Sequence, residues 1–124
     1  MIRYVPISTV LVIHSELLRE FGGKPGLRDR GLLESALDRP RNLEAYEGAD
    51  IFRLAAAYAF GIIKNHPFID GNKRVGFITA YTFLSINGFE LNASEEEAVI
   101  MIEGVAAGSV DEKTLAEWLR DHVL

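Results

Sequence analysis

Two apolar runs with helical spacing, residues 51–63 and 75–86, flank a short polar stretch that contains Pro67. No other feature limits the fold as much. The first run places Ile51, Leu54, Ala55, Tyr58, Ala59, Ile62 and Ile63 on one helix face, with Asp50 positioned to cap it. A residue before proline is steered out of the helical region, so this helix ends at about His66. The second run carries Val75, Phe77, Ile78, Ala80, Tyr81, Phe83, Leu84 and Ile86. It opens at Gly71 or Asn72, ends near Asn87, and is apolar nearly all round, which predicts a buried central helix.

The rest of the chain reads as shorter helices. One opens after Pro6 with Ser8 as its cap, carries Val10, Ile13, Leu17, Leu18 and Phe21, and stops at Gly22 and Gly23. The segment KPGLRDR, with Lys24, Arg28 and Arg30, reads as a solvated loop. A second helix is expected from Asp29 as its cap to just before Pro40. Residues 41–49 have no clear period and predict a loop or small hairpin. Ser94 to Glu97 forms a capping box for a fifth helix. Ser109 to Glu112 forms another for a sixth, with Leu115, Trp118 and Leu119 inward. The expectation is one all-α domain over residues 1–124, six helices around the fourth.

Charge and composition then exclude several function classes. The formal net charge of -5 opposes bulk binding to nucleic acid or to an acidic membrane surface. No run approaches the ~20 apolar residues of a membrane helix. The chain has no cysteine, which removes disulfides and thiolate chemistry and fits a cytoplasmic setting. His14 and His122 have no ligand spacing with His66, so no structural metal is expected.

Between the two apolar runs stands NHPFIDGNKRVGF, residues 65–77. Its second half falls on the first turn of a helix, where N–H groups lack partners and the dipole is positive. Such an end accepts phosphate. Lys73 and Arg74 add positive charge, Gly71 lets a ligand approach the backbone, and Asn72 offers an amide. Asp70 supplies a hard oxygen for Mg²⁺. His66 is the side chain whose proton exchange falls near neutral pH. Each residue alone has an ordinary explanation: Asp70 as a helix cap, the cations as solvated charges, Gly71 and Asn72 as turn formers. Together they form a base, a metal ligand and a phosphate cradle, the parts of phosphoryl or nucleotidyl transfer to a hydroxyl.

HPFIDGNKR resembles the signature of the Fic/Doc family, and FGGKPGLRDRGLLESALDRPR resembles its Doc, or death on curing, branch. The resemblance extends from about Phe21 to Leu124 and implies an all-α fold. It implies that His66 is the general base, that Asp70 holds Mg²⁺, and that Asn72 and Arg74 contact phosphate. Phe68 matches the family's packing aromatic, and residues 43–48 correspond in position to its substrate-docking flap. Fic nucleotidyl transferases carry glycine after the asparagine and a second arginine further on. Lys73 and Phe77 stand there instead, and Doc proteins share the lysine. The Doc branch implies a toxin kinase that moves the γ-phosphate of ATP to a Ser or Thr of elongation factor Tu and arrests translation. A long cation in the glycine position is expected to fill the space along the helix start and to present the γ-phosphorus to the base. The family's inhibitory pattern is missing, since Leu43 and Val99 stand four residues before Glu47-Gly48 and Glu103-Gly104. The implied restraint is a Phd-like antitoxin whose tail folds into a groove. The alternatives are a Fic-type AMP transferase that tolerates the lysine, or a non-catalytic phosphate- or partner-binding module.

Overall fold

In the computed structural model, which describes all 124 residues, six helices form and no sheet does. Helix α1 spans Ile7–Phe21, α2 Arg30–Glu47, α3 Ile51–Asn65, α4 Asn72–Ile86, α5 Glu95–Ala107 and α6 Glu112–Asp121. Extended contacts are confined to two isolated antiparallel bridges, Leu27 with Phe68 and Leu91 with Val123. No helix is long and apolar enough to cross a membrane.

Local chemistry sets most helix starts. Asp29, Asp50 and Ser94 accept the N–H of Leu32, Arg53 and Glu97 at 3.0, 2.9 and 3.1 Å, each as an N-cap. Two expected caps are corrected. Ser8 lies inside α1, whose preceding residue, Pro6, makes no side-chain cap. Asp111, not Ser109, caps α6 by accepting the Thr114 N–H at 2.8 Å. Ser109 instead donates to the Gly104 carbonyl at the end of α5.

Helix α2 runs straight through Pro40 to Glu47, so neither the stop before Pro40 nor the hairpin at 41–49 forms. A proline inside a helix has no N–H for the carbonyl four residues back and costs about 3 kcal/mol. Here Leu33, Ala36, Leu37, Pro40 and Leu43 form one buried stripe that spans the proline. Burying the stripe beyond it, at ~1.5–3 kcal/mol for a leucine such as Leu43, offsets the missing bond.

The centre of the bundle is α3 rather than α4. Helix α3 packs against α2, α4, α5 and α6, and Leu54 to Ala59 are all buried. Its alanines make it narrow, so neighbours approach closely. A Cβ at Gly61 would lie 3.2 Å from the Ala36 Cβ, and one at Gly76 of α4 would lie 3.1 Å from the Ala59 carbonyl. Helix α4 buries Val75, Thr79, Ala80, Phe83 and Leu84 against this face, while Phe77, Ile78 and Tyr81 stay partly exposed. The apolar residues on its outer side line a groove. The tight α3–α4 packing fixes both ends of the connection that carries the polar motif.

Candidate active site

Residues 66–71 join α3 to α4 and are held from several sides. His66 ends α3 in the left-handed conformation, φ 52° and ψ 54°, the one non-glycine residue with positive φ. Its N–H still donates to the Ile62 carbonyl at 3.1 Å. Phe68 is buried, and the Asn72 side chain closes a two-bond clamp on its backbone. The Phe68 N–H donates to Asn72 Oδ1 and Asn72 Nδ2 donates to the Phe68 carbonyl, both at 2.9 Å. Asn72 is itself buried, 4% exposed. Its side chain therefore faces the loop it holds, and it presents only its backbone N–H to a ligand.

From α1, His14 stacks on the Phe68 ring with centroids 3.9 Å apart and an angle of 15° between the rings. Its Nε2 lies 2.9 Å from the Asp70 carbonyl, an acceptor only, so Nε2 carries the hydrogen and donates. The segment 24–30 is an exposed loop, as expected, and it also braces the connection. The N–H groups of Arg28 and Asp29 both donate to the Pro67 carbonyl, at 2.7 and 3.0 Å, and the Ile69 N–H donates to Gly26 at 3.1 Å. The Arg28 guanidinium donates to the carbonyls of His66 and Asn65 at 2.8 and 3.0 Å. It thereby satisfies the C-terminal carbonyls of α3 and sets a positive charge against the negative end of the helix dipole.

Asp70 is exposed at the rim. One carboxylate oxygen accepts the Lys24 N–H at 3.2 Å and the other accepts the Gly71 N–H at 2.9 Å. The Lys24 and Gly71 amides hold its carboxyl below the usual range, so it is a persistent anion. The close approach of residue 23 requires glycine: at φ +119° a Cβ there would lie 2.9 Å from Asp70 Oδ2. Asp70 is not the cap of α4. Gly71, in the left-handed conformation, takes that position and no side chain caps the helix. The first-turn N–H groups of Asn72, Lys73 and Arg74 thus have no acceptor within the chain, which is the condition for an anion site.

His66, Asp70, Asn72, Lys73 and Arg74 all line one groove of about 850 Å³ between α4 and α5. The far part of the groove is apolar, with Phe77, Ile78 and Tyr81 on one wall and Ala98 and Ile102 on the other. The two cations have different partners. The Arg74 guanidinium lies over the Phe21 ring, 4.0 Å from its centroid. The Lys73 ammonium does not lie along the start of α4, as the sequence led us to expect. It reaches across the groove to Glu103 Oε1 of α5 at 2.8 Å.

The sequence reading missed His14, Phe21, Arg28 and Glu103. His14 alone left a local signal: a histidine one turn after Val10 on the inner stripe of α1 must find a buried partner. Lys73 and Glu103 are thirty residues apart, and no local pattern connects them.

A family model described as Fic/DOC family matches residues 4–84. The chain is similar to a protein named "Protein kinase doc" of Escherichia phage P1, with 31% identity over 119 residues, 95% of this chain and 94% of that relative. It is also similar to "Toxin Doc" of Mycolicibacterium smegmatis, with 42% identity over 77 residues, 59% of this chain and 58% of that relative. The family match covers well over half of the chain and includes the whole α3–α4 connection, and on that ground the chain belongs to the Fic/Doc family.

Proposed function

We propose that this chain is a Doc-type toxin, a protein Ser/Thr kinase that transfers the γ-phosphate of ATP to elongation factor Tu. One observation carries the reading. The uncapped N-terminus of α4 opens into the same groove as His66 and Asp70, so an anion site, a base and a carboxylate converge. The relatives named as a kinase and a toxin support the reaction class.

The residues divide the work as follows. The amides of Asn72, Lys73 and Arg74 and the Arg74 guanidinium receive phosphate oxygens. The Asp70 carboxylate already accepts two N–H groups and faces solvent. A lone carboxylate of this kind fits Mg²⁺, which is held by one or two carboxylates together with phosphate oxygens and waters. When bound, the ion neutralises charge on the phosphates. His66 removes the proton of the target hydroxyl as its oxygen bonds to the γ-phosphorus and the bond to the ADP oxygen breaks. The apolar part of the groove suits the amphipathic helix of an antitoxin tail of the Phd kind, which would lie next to this chemistry.

Incubation of the chain with elongation factor Tu, Mg²⁺ and ATP labelled at the γ- or the α-phosphate tests the reading. Label from the γ-position alone is expected on a Ser or Thr of the factor. Label from the α-position would make the chain an AMP transferase instead. No transfer to any translation factor would leave a binding module.

A further inference from the structure

The turn that closes α1, Phe21 to Lys24, touches both charged groups at the rim of the site. The Lys24 N–H donates to Asp70 Oδ2 at 3.2 Å. At the other end of the turn, the Phe21 ring lies under the Arg74 guanidinium, 4.0 Å from its centroid to the guanidinium carbon. That ring is what holds the guanidinium. Arg74 has no carboxylate partner and donates no side-chain hydrogen bond within the chain. Phe21 is 52% exposed and stands outside the hydrophobic core and the side chains packed on it, yet it lines the groove. Its burial therefore adds little to the fold. The contact has a chemical merit. All the N–H donors of a guanidinium lie in its plane. An aromatic ring attracts the cation through its face and occupies none of them, whereas a carboxylate would take them. The fork is thus held in place and left unsatisfied in the same groove as the free amides of the α4 start. A loose arginine would have to be immobilised when phosphate binds, and that ordering lowers affinity.

We propose that Phe21 is a positioning residue, a shelf that holds the Arg74 guanidinium ready for phosphate. The inference rests on the nucleotide reading given above. It gives the end of α1 a part in recognising the phosphate chain, although that helix contributes nothing to the HPFIDGNKR stretch. One short turn then sets two groups at once, the Asp70 carboxylate through the Lys24 amide and the Arg74 fork through the Phe21 ring. Their relative position is fixed by four consecutive residues, so the clamp on phosphate and the carboxylate stay in register.

The test is a double-mutant cycle on the full chain. Binding of inorganic tripolyphosphate, and separately of Mg²⁺-ATP, is measured by calorimetry at low salt for the wild type, Phe21→Leu, Phe21→Trp, Arg74→Met and the Phe21→Leu/Arg74→Met pair. Thermal melts should show each folded, because Phe21 lies off the core. A cation on an exposed ring shifts an equilibrium by roughly two- to five-fold. Phe21→Leu should weaken both ligands by about that factor, and Phe21→Trp, which offers the better ring, should bind at least as well as the wild type. In the Arg74→Met background Phe21→Leu should change nothing. The Arg74 Nε–H resonance should also move when the ring is removed, with no ligand present. Unchanged tripolyphosphate binding by Phe21→Leu overturns the inference. So does a loss confined to ATP, which would place the ring against the nucleoside, and so does an equal loss in the Arg74→Met background. Failure of the wild type to bind either ligand defeats the nucleotide reading and this assignment with it, whereas binding by the wild type with no loss in Phe21→Leu defeats the assignment alone.

Discussion

Replacement of Asn72 by alanine separates two roles that the motif alone cannot distinguish, contact with phosphate and support of the loop. The side-chain amide makes two bonds to the backbone of Phe68, and both are buried. Alanine would leave the Phe68 N–H and carbonyl without partners. Each buried unpaired group costs about 1–3 kcal/mol. Entry of water from the nearby groove relieves part of this, so the total should be about 2–4 kcal/mol. For a domain of this size that corresponds to a fall in Tm of roughly 6–16 °C, taking ~3–4 °C per kcal/mol. The Phe68 amide should also lose its protection against hydrogen exchange by a larger factor than amides in the middle of α3. Calorimetric melting and exchange read by NMR measure both. A Tm within 2 °C of wild type, combined with a marked loss of ATP affinity, would refute the argument and return Asn72 to the ligand.

Three further outcomes are expected. His66→Gly should lower phosphate transfer by about 10²–10⁴ while leaving Tm equal or higher, because glycine is at ease at φ 52°; full activity would remove His66 from the chemistry. Arg28→Ala should lower Tm and transfer rate together, by about 1–2 kcal/mol in stability for two charged bonds at a solvent-exposed helix end, and Arg28→Lys should recover only part, since one ammonium cannot reproduce the fork; unaffected melting would show the brace to be idle. A ¹³C titration of Asp70 should give a midpoint below the ordinary 3.8. Because its folded value is depressed, its contribution to folding is complete above that ordinary value and is lost only as pH falls through the folded one. A midpoint at or above the ordinary value would mean that the Lys24 and Gly71 amides do not hold the carboxylate.

Much of this arrangement could be read from local sequence, because much of it is local. Helices α3 and α4 follow from period, the capping aspartates and serine from one side chain and one amide, and the end of α3 at His66 from Pro67, although the left-handed conformation of His66 does not. Residues 41–47 were misread because proline is a strong local stop signal, whereas the burial of Leu43 that overrides it is a tertiary effect. The sequence points to α4 as the centre because its apolar residues fall nearly all round the helix, whereas those of α3 read as one face. Alanine is what lets α3 touch four neighbours. The site residues that escaped notice share one property. Arg28, His14 and Glu103 reach the motif from 38, 56 and 30 residues away along the chain, so only folding reveals them. The placing of HPFIDGNKR between a helix end and a helix start was legible, but the contacts that hold it there were not.

The stack of His14 on Phe68 has a consequence for partial unfolding. Helix α1 leans mainly on α4 and touches α2 only slightly, while the α3 centre makes no substantial contact with it. It is therefore among the segments that can detach without dissolving the bundle. Its departure would withdraw His14 from the Phe68 ring and the Asp70 carbonyl, and Phe21 from Arg74, while Asn72 and the 24–30 segment kept their own grips. The result is a sub-global opening in which the chain keeps five of its helices and loses the alignment of its site. Catalytic competence in this molecule is then a separate cooperative unit from the fold, governed by how firmly the first helix stays seated.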